Sequence, residues 1–284
     1  MHKLLLSFLL ATTYLWSNLH AIVSILPQET FLKAIGGDKV TLELMVQPGN
    51  SPHSYEPKPS QMLAIAKADI YFTIDVEFEN VWLPKFMNLN KKMKVIDIAD
   101  TVPKIHMATS HNTHNQHNQH AHKGEDPHIW TDPANVRIIA QNIYNALAKY
   151  DPENIGYYKT NLETFLNLVN DTDEHIKEIF SSLKENHKFM VFHPSWGYFA
   201  KAYDLEQIVV EVEGKAPKPK DLIHLIKEAR EEQVKAIFTQ PEFSDASARI
   251  IAKELGIPVI KVTPLASNWS ENLLYIAKII TGKN

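Results

Sequence analysis

The segment DPENIGYYKTNLETFLNLVNDTDEHIKEIFSSLKE, from Asp151 to Glu185, decides how the rest of the chain is arranged. Its apolar residues recur every three or four positions, with one interruption at Thr172: Ile155, Tyr158, Leu162, Phe165, Val169, Ile176, Ile179 and Leu183. That spacing predicts one amphipathic helix, which Asp151 can cap and Pro152 can begin. At 1.5 Å per residue it would be roughly 50 Å long. Because one small domain cannot cover that length, we expect the helix to support two; a long surface helix of a single domain is the alternative.

Short apolar runs alternate with amphipathic segments on both sides of this helix. Four runs precede it (IVSIL, TLELMV, IYFTI and KVIDIA) and four follow it (KFMVF, QIVVEV, KAIFTQ and PVIKV). This alternation is typical of α/β folds with parallel sheets. With 284 residues, 44% of them hydrophobic, the chain can build two cores. We predict a first lobe over residues 22–150, a linking helix over 151–187 and a second lobe over 188–284.

The two predicted lobes share short stretches of sequence. PKPSQMLAIAKA at Pro57–Ala68 resembles PKPKDLIHLIKEA at Pro217–Ala229, and each follows a predicted strand and a glycine and precedes another strand. ILPQETFLKA near Pro27 loosely resembles FHPSWGYFAKA near Pro194. These pairs indicate an internal duplication, and two similar α/β lobes would leave a cleft between them.

Residues 1–21 are predicted to be a secretory signal. Lys3 precedes an apolar run over Leu4–Leu15, and Leu19–Ala21 supplies the small residue at which such signals are cut. The mature chain would start at Ile22. The apolar run is short for a bilayer, and no later stretch approaches roughly 18 apolar residues, so we expect release without membrane insertion.

Composition limits the chemistry and the partners. Cysteine is absent, so every metal ligand must be a nitrogen or an oxygen atom, and no disulfide can form. The formal net charge is −4, and removal of the signal makes it slightly more negative. This balance argues against nucleic acid and anionic membrane as partners.

A histidine-rich segment, HMATSHNTHNQHNQHAHKG, spans residues 106–124. It has no apolar period and little bulk to bury, which predicts a loop. A helical stripe of histidines is the alternative, although Asn, Thr and Ser form helices poorly. The loop either collects zinc weakly and delivers it or senses its supply, or it is a solvated insertion without consequence. Its length and flexibility would let it reach a nearby site.

Three other histidines stand in stiff turns at predicted strand or helix ends. His53 lies in PGNSPHSYEPKPS, His128 in EDPHIWTDPANV, and His193 ends the strand MVFH. Ligands of open α/β sheets bind at strand ends, although a single histidine in such a turn is often structural. Two of these residues belong to the first lobe and one to the second. Imidazole favours zinc, copper, nickel or iron, and three imidazoles with an open position form a tetrahedral zinc site, whereas calcium and magnesium need oxygen ligands.

The stretches HSYEPKPS, DPHIWTDP and FHPSWGYFAKAY, separated by a long helix, resemble the three signatures of the metal-binding proteins of ABC importers for zinc and manganese (cluster A-I). The His-rich segment ahead of the second signature is similar to the zinc-specific branch, the ZnuA type. The resemblance runs from about Ile22 to the C-terminus. It implies two (β/α)4 lobes joined by one rigid backbone helix, with a metal ion held in the cleft between them by His53, His128 and His193.

Two departures from the family pattern concern the metal. Manganese-binding relatives have a carboxylate in place of the third histidine and an acidic ligand in a late turn, whereas this chain has His193 and the turn VTPLASNW, with Thr263 or its neighbours where an Asp is common. The loss of oxygen ligands favours zinc and leaves the fourth position to water or an unidentified carboxylate. Acids should lie behind the histidines to offset the charge of the ion; the candidates are Asp126, Asp132 and Glu213.

The resemblance implies the zinc-binding component of an ABC importer, a monomer that captures Zn²⁺ in the periplasm and delivers it to the inner-membrane permease, and that is not an enzyme. A manganese- or nickel-binding homologue is one alternative, and a zinc buffer or metal-dependent adhesin without a transporter is another. A secreted zinc hydrolase would also hold zinc by three histidines and water. Against it, the chain contains no HExxH or GxSxG motif and no acid in a clear general-base position.

Overall fold

A computed structural model of the chain describes residues 18–108, 124–183, 187–212 and 215–282. Most of the predicted signal, most of the His-rich segment and Glu213 lie outside the described residues. Within them the fold is α/β, with two four-stranded parallel sheets, as predicted. No helix in the described ranges is long and apolar enough to cross a membrane.

The first lobe alternates strands and helices before the linking helix. In chain order it contains β1 (Leu19–Val23), α1 (Leu26–Gly36), β2 (Val40–Leu44), α2 (Pro59–Lys67), β3 (Ile70–Thr73), α3 (Glu77–Leu89), β4 (Lys94–Asp97) and α4 (Pro133–Tyr150). The strand order is β2-β1-β3-β4, with every pair parallel. The carboxyl ends of all four strands therefore meet at one edge of the sheet.

The second lobe repeats this arrangement after the linking helix α5 (Ile155–Phe180). It contains β5 (His187–Val191), α6 (Gly197–Ala202), β6 (Leu205–Val209), α7 (Pro219–Glu231), β7 (Ile237–Thr239), α8 (Ala246–Leu255), β8 (Val259–Lys261) and α9 (Trp269–Ile280). Its strand order is β6-β5-β7-β8, again parallel throughout. Each of the eight apolar runs singled out in the sequence overlaps a strand, although the first run shares only Ile22 and Val23 with β1.

The two sheets have the same winding, which supports the predicted duplication. In each, the second strand in sequence lies outside the first and the third lies on the other side of it. The helices of the repeated PKP stretches also begin alike, because the backbone N–H of Lys58 donates to Gln61 Oε1 (2.9 Å) and that of Lys218 donates to Asp221 Oδ2 (3.1 Å). Each helix thus begins with one free amide satisfied by the side chain three residues on.

The first strand begins earlier than the sequence pattern indicated. Leu19–Ala21 pair with Val40–Leu42 of β2, whereas Ile25 and Leu26 already belong to the start of α1. Cleavage after Ala21 stays a prediction, and it would remove the first three residues of this five-residue strand.

The linking helix is shorter than predicted. α5 contains 26 residues, about 39 Å at 1.5 Å per residue, and it follows a separate turn of 3-10 helix at Pro152–Asn154. Asp151 therefore does not cap it; its carboxylate accepts hydrogen bonds from Asn154 Nδ2 and the Tyr158 hydroxyl. The helix ends at Phe180, where two serines follow and Ser181 Oγ bonds back to Glu178 O (2.7 Å).

α5 joins the lobes by packing against α1 and α4 of the first lobe and α9 of the second. Asn161 Nδ2 donates to Ile35 O of α1 (3.0 Å), and Thr172 Oγ1 lies 2.6 Å from Ser270 Oγ of α9. Thr172, which interrupts the apolar stripe, is buried and also donates to Leu168 O (2.7 Å). The polar residue in the stripe thus ties the helix to the second lobe.

Two tryptophans connect the lobes directly. The indole N–H of Trp130 donates to Pro264 O (2.7 Å), and that of Trp269 donates to Trp130 O (2.7 Å). The Trp269 ring also meets Phe31 of α1 edge to face, with centroids 5.8 Å apart. Because both bonds are buried, separating the lobes would leave their donors and acceptors unpaired.

A buried glutamate holds the turn between β3 and α3. Glu79 accepts hydrogen bonds from the backbone N–H of Ile74 (3.0 Å) and of Asp75 (2.8 Å), which adopts a left-handed φ of 66°, and from Ser24 Oγ. Burial raises the pKa of Glu79 to about 7. This turn leads directly to Glu77 at the start of α3.

We expect Glu79→Gln to change how stability depends on pH. Because the folded-state pKa of about 7 lies above the ordinary 4.5, the proton of Glu79 favours folding below pH 4.5, and this contribution is lost as pH rises through 7. The free energy of unfolding of the wild type, relative to the variant, should fall by about 2 to 3 kcal/mol from pH 5 to pH 8. Urea unfolding at both pH values measures this, with exposed Glu153→Gln as the control for net charge. An equal difference at both values would contradict it.

Candidate metal centre

Three turns bring His53, His128 and His193 together in the cleft. His53 lies in the loop between β2 and α2, His128 directly precedes a 3-10 turn at Ile129–Thr131, and His193 follows β5. The ring centroids of His53 and His193 are 5.5 Å apart, and those of His128 and His193 are 5.6 Å apart. Two lobes therefore contribute rings to one place.

Each of the three rings points its Nδ1 atom at one carboxylate. The pairs are His53 with Glu77 Oε2 (2.6 Å), His128 with Asp126 Oδ1 (2.7 Å) and His193 with Glu211 Oε1 (2.9 Å). A carboxylate can only accept, so Nδ1 carries the hydrogen and the lone pair lies on Nε2. Among the described residues, the buried Nε2 of His193 has no hydrogen-bond partner. This is the arrangement in which metal-binding histidines are held.

The rings enclose a small cavity. It has a volume of about 30 Å³ and is lined by the three histidines together with Trp130, Glu242 and Phe243. Such a space is large enough for an ion or a water molecule. In the described parts of the chain no three His, Asp or Glu side chains already surround one point as an ion requires, so the rings would have to turn or approach slightly to chelate.

Carboxylates and burial act differently on the individual rings. The hydrogen bond that His53 Nδ1 donates to Glu77 raises the pKa of His53, and the same bond lowers the pKa of Glu77. Burial lowers the pKa of His128. His128 thus stays neutral to lower pH than His53 does.

The sequence prediction of the supporting acids was partly right. Asp126 lies behind His128, as expected, whereas Asp132 instead accepts the backbone N–H of Ala134 (2.7 Å) and caps α4. Glu77 and Glu211 were missed. Both come a few residues after a strand, Glu77 after β3 and Glu211 after β6. The rule that drew attention to the histidines, that side chains at strand ends form sites, applied to them equally.

Aromatic side chains restrict the rings. Phe243 stacks on His193 with centroids 4.8 Å apart and an interplanar angle of 27°, and Trp130 meets the His128 ring at 5.5 Å. Gln240 Nε2 donates to the His193 carbonyl (3.4 Å). Packing and hydrogen bonds together hold His193 and His128 in fixed turns.

The two ends of the His-rich segment are paired beside the site. His106 and Glu125 form an antiparallel bridge, and Met107 N donates to Gly124 O (3.2 Å). One residue further, Asp126 N donates to Ile105 O (2.8 Å). Residues 109–123, which carry five of the six histidines, lie outside the described residues, so the role predicted for them stays a prediction.

Gly197 makes room for the carboxylate behind His128. Asp126 is fully buried, and a Cβ on Gly197 would lie 2.5 Å from its Oδ2 atom. No real side chain tolerates that approach unless the carboxylate moves. Asp126 Oδ1 accepts both the backbone N–H (2.9 Å) and Nδ1 of His128. A shift of Asp126 would therefore release His128.

Gly197→Ala should reduce both stability and metal binding. The added methyl group displaces Asp126, so we expect the free energy of unfolding to fall by about 1 to 3 kcal/mol and metal affinity to fall at least about tenfold. Gly156→Ala in α5 is the matched control, because a Cβ there meets nothing within 4 Å. Thermal unfolding and metal titration measure both variants. If Gly197→Ala behaved like Gly156→Ala, the support of His128 by Asp126 would not depend on this space.

Comparison with known proteins places this geometry in a family. Residues 22–280 match the family described as zinc-uptake complex component A, periplasmic. The fold superimposes on a crystal structure of ZnuA with a TM-score of 0.84 and 38% identity, covering 94% of this chain and 99% of the other.

Two curated relatives are named as transport proteins. One is the metal ABC transporter substrate-binding lipoprotein of Lactococcus lactis, 31% identical over 80% of this chain and 72% of the relative. The other is the manganese ABC transporter substrate-binding lipoprotein scaA of Streptococcus gordonii, 30% identical over 80% of this chain and 73% of the relative. One name specifies manganese and the other no particular metal, and both describe the substrate-binding lipoprotein of a metal ABC transporter.

Proposed function

The chain belongs to the zinc-uptake component A family of metal ABC transporter substrate-binding proteins, and on that premise we propose that it captures Zn²⁺ in the periplasm and delivers it to the membrane permease. His53, His128 and His193 are the proposed ligands, each through Nε2. The observation that supports them is the set of three Nδ1–carboxylate hydrogen bonds around one ion-sized cavity. The family consists of binding subunits, and a cavity of about 30 Å³ gives no support to a zinc hydrolase.

The donor set favours zinc over manganese. Three imidazole nitrogens suit Zn²⁺, whereas Mn²⁺ prefers carboxylate and carbonyl oxygen. Manganese is the second candidate, because the Streptococcus gordonii relative scaA is named as a manganese-binding lipoprotein of an ABC transporter. The three acids behind the rings offset the charge of the ion without replacing the nitrogen donors, so they do not favour manganese.

Release of the metal ion depends more on movement of the loop that carries His53 than on opening of the cleft. α5 and the two tryptophan hydrogen bonds oppose separation of the lobes. His53 is the most exposed ligand, with 30% of its side chain accessible, against 8% for His128 and 10% for His193. It also lies in the loop between Leu44 and Pro59, which has no regular structure. We propose that docking on the permease withdraws His53 first.

His193→Ala should abolish tight zinc binding. Loss of one of three nitrogen donors should weaken affinity at least about 100-fold, because chelation by two imidazoles is weak. Competition with a chromophoric chelator measures this, with exposed His224→Ala on α7 as the matched control. Tight binding by the His193 variant would refute the site.

Deletion of Ala108–Lys123 tests the His-rich segment separately. We expect the deletion to remove only weak additional zinc sites and to leave the tight site unchanged. The contacts described for His53, His128 and His193 all involve residues outside the deleted segment. Isothermal titration measures both classes of site. If the deletion also removed the tight site, the division between collecting loop and binding site would be wrong.

Zinc affinity should fall as pH falls. Each ligand must be neutral to bind, so every protonated imidazole costs up to about tenfold per pH unit. Since its bond to Glu77 raises the pKa of His53, whereas burial lowers that of His128, protonation of His53 should weaken binding at higher pH than protonation of His128 does. In Glu77→Gln this weakening should begin at lower pH. Affinity measured between pH 5 and pH 8 tests both statements; binding independent of pH from 5 to 7 would exclude three histidine ligands.

A further inference from the structure

We propose that Glu242 supplies the fourth, anionic donor to the metal, and that the ion reaches it through a neighbouring cleft between the lobes. The inference rests on the three histidines being the metal ligands. It answers the question that the missing acid at Thr263 leaves open.

Glu242 is the acid on the cavity wall that no histidine uses. Two carboxylates of the described residues line the cavity, Glu77 and Glu242. Glu77 is bound to His53 Nδ1, whereas the Glu242 carboxylate is bound to Thr263 and to no described histidine. It follows β7 in the second lobe, next to Phe243, which stacks on His193. It thus adds a second donor from the lobe that contributes only one histidine.

Thr263 holds this carboxylate in the late turn. Its hydroxyl donates to Glu242 Oε1 (3.4 Å) and also accepts the backbone N–H of Leu265 (3.0 Å). The manganese-binding proteins that this chain resembles carry an acid at Thr263 or one of its neighbours. In this chain the acid is therefore Glu242, which follows the adjacent strand β7 and is hydrogen-bonded to Thr263 of the late turn.

Glu242 also lies on the boundary of a second cavity. This larger space, about 230 Å³, lies between the lobes, with Ile25, Val46 and Pro48 on one side and Ala266 and Asn268 on the other. Glu242 and Leu265 line both cavities. An ion that enters through the larger cleft meets the Glu242 carboxylate before the imidazoles. A single negative charge at such a constriction raises the local concentration of cations.

The charge of the ion gives Glu242 a reason to bind. Three neutral imidazoles leave the two positive charges of zinc in a buried, aromatic-walled site, where uncompensated charge is costly. The acids behind the rings offset it only at a distance. A carboxylate in the fourth position completes a tetrahedral set of three nitrogens and one oxygen. Water in that position is the competing arrangement.

The test compares Glu242→Gln with the wild type by zinc affinity and by the visible spectrum of bound Co²⁺. The amide keeps the size of the side chain but loses the charge, so we expect zinc affinity to fall about 10- to 100-fold and the cobalt bands to shift as the donor set changes. Thr263→Val should weaken affinity several-fold by releasing the carboxylate. Exposed Glu254→Gln is the control for net charge. Thermal unfolding of the metal-free variants verifies that each is folded.

The outcomes separate this inference from the proposed function. If His193→Ala loses tight binding while Glu242→Gln keeps the affinity and cobalt spectrum of the wild type, the fourth donor is water and only this inference fails. If His193→Ala keeps tight binding, the histidine site itself is wrong. A lower affinity with an unchanged cobalt spectrum would likewise refute Glu242 as a donor. The entry role fails if stopped-flow association of zinc at low salt is as fast in Glu242→Gln as in the wild type.

Discussion

Hydrogen bonds from three imidazole Nδ1 atoms to three carboxylates are the interactions on which the site depends. Each bond decides which nitrogen keeps its lone pair, restrains the plane of the ring and places a negative charge behind it. The partners come from different elements: Asp126 stands two residues before its histidine, while Glu77 and Glu211 stand 24 and 18 residues after theirs. The site therefore exists only when both lobes are folded and joined.

The scaffold brings these parts together and then limits their movement. Two sheets of identical strand order present their carboxyl ends to each other, and α5 with the paired indole bonds sets the distance between them. We expect such a frame to close little, so any difference between the metal-loaded and the empty protein should be small and local. The exposed His53 loop is where the structure allows it.

Much of this could be predicted because strands and ligand turns leave local marks. Each of the eight apolar runs and each of the three stiff histidine turns can be recognised from a few consecutive residues, and the alternation of the runs with amphipathic segments indicates parallel sheets. The helix was predicted too long because the apolar spacing continues past its end at Phe180 to Leu183, while the serine pair that ends the helix has little weight in a periodic pattern. The partners Glu77 and Glu211, and the position of Glu242, arise from tertiary contacts, and ordinary surface acids look the same in sequence.

Backbone hydrogen bonds join the two ends of the His-rich segment where it leaves the first lobe. Since Met107 N donates to Gly124 O and Asp126 N donates to Ile105 O, we expect changes of length between residues 108 and 124 to leave Asp126 and His128 in place. Insertions there cost only loop-closure entropy, which grows slowly with length. Relatives are therefore expected to differ in the length and composition of this segment while the residues of the proposed pocket keep their places.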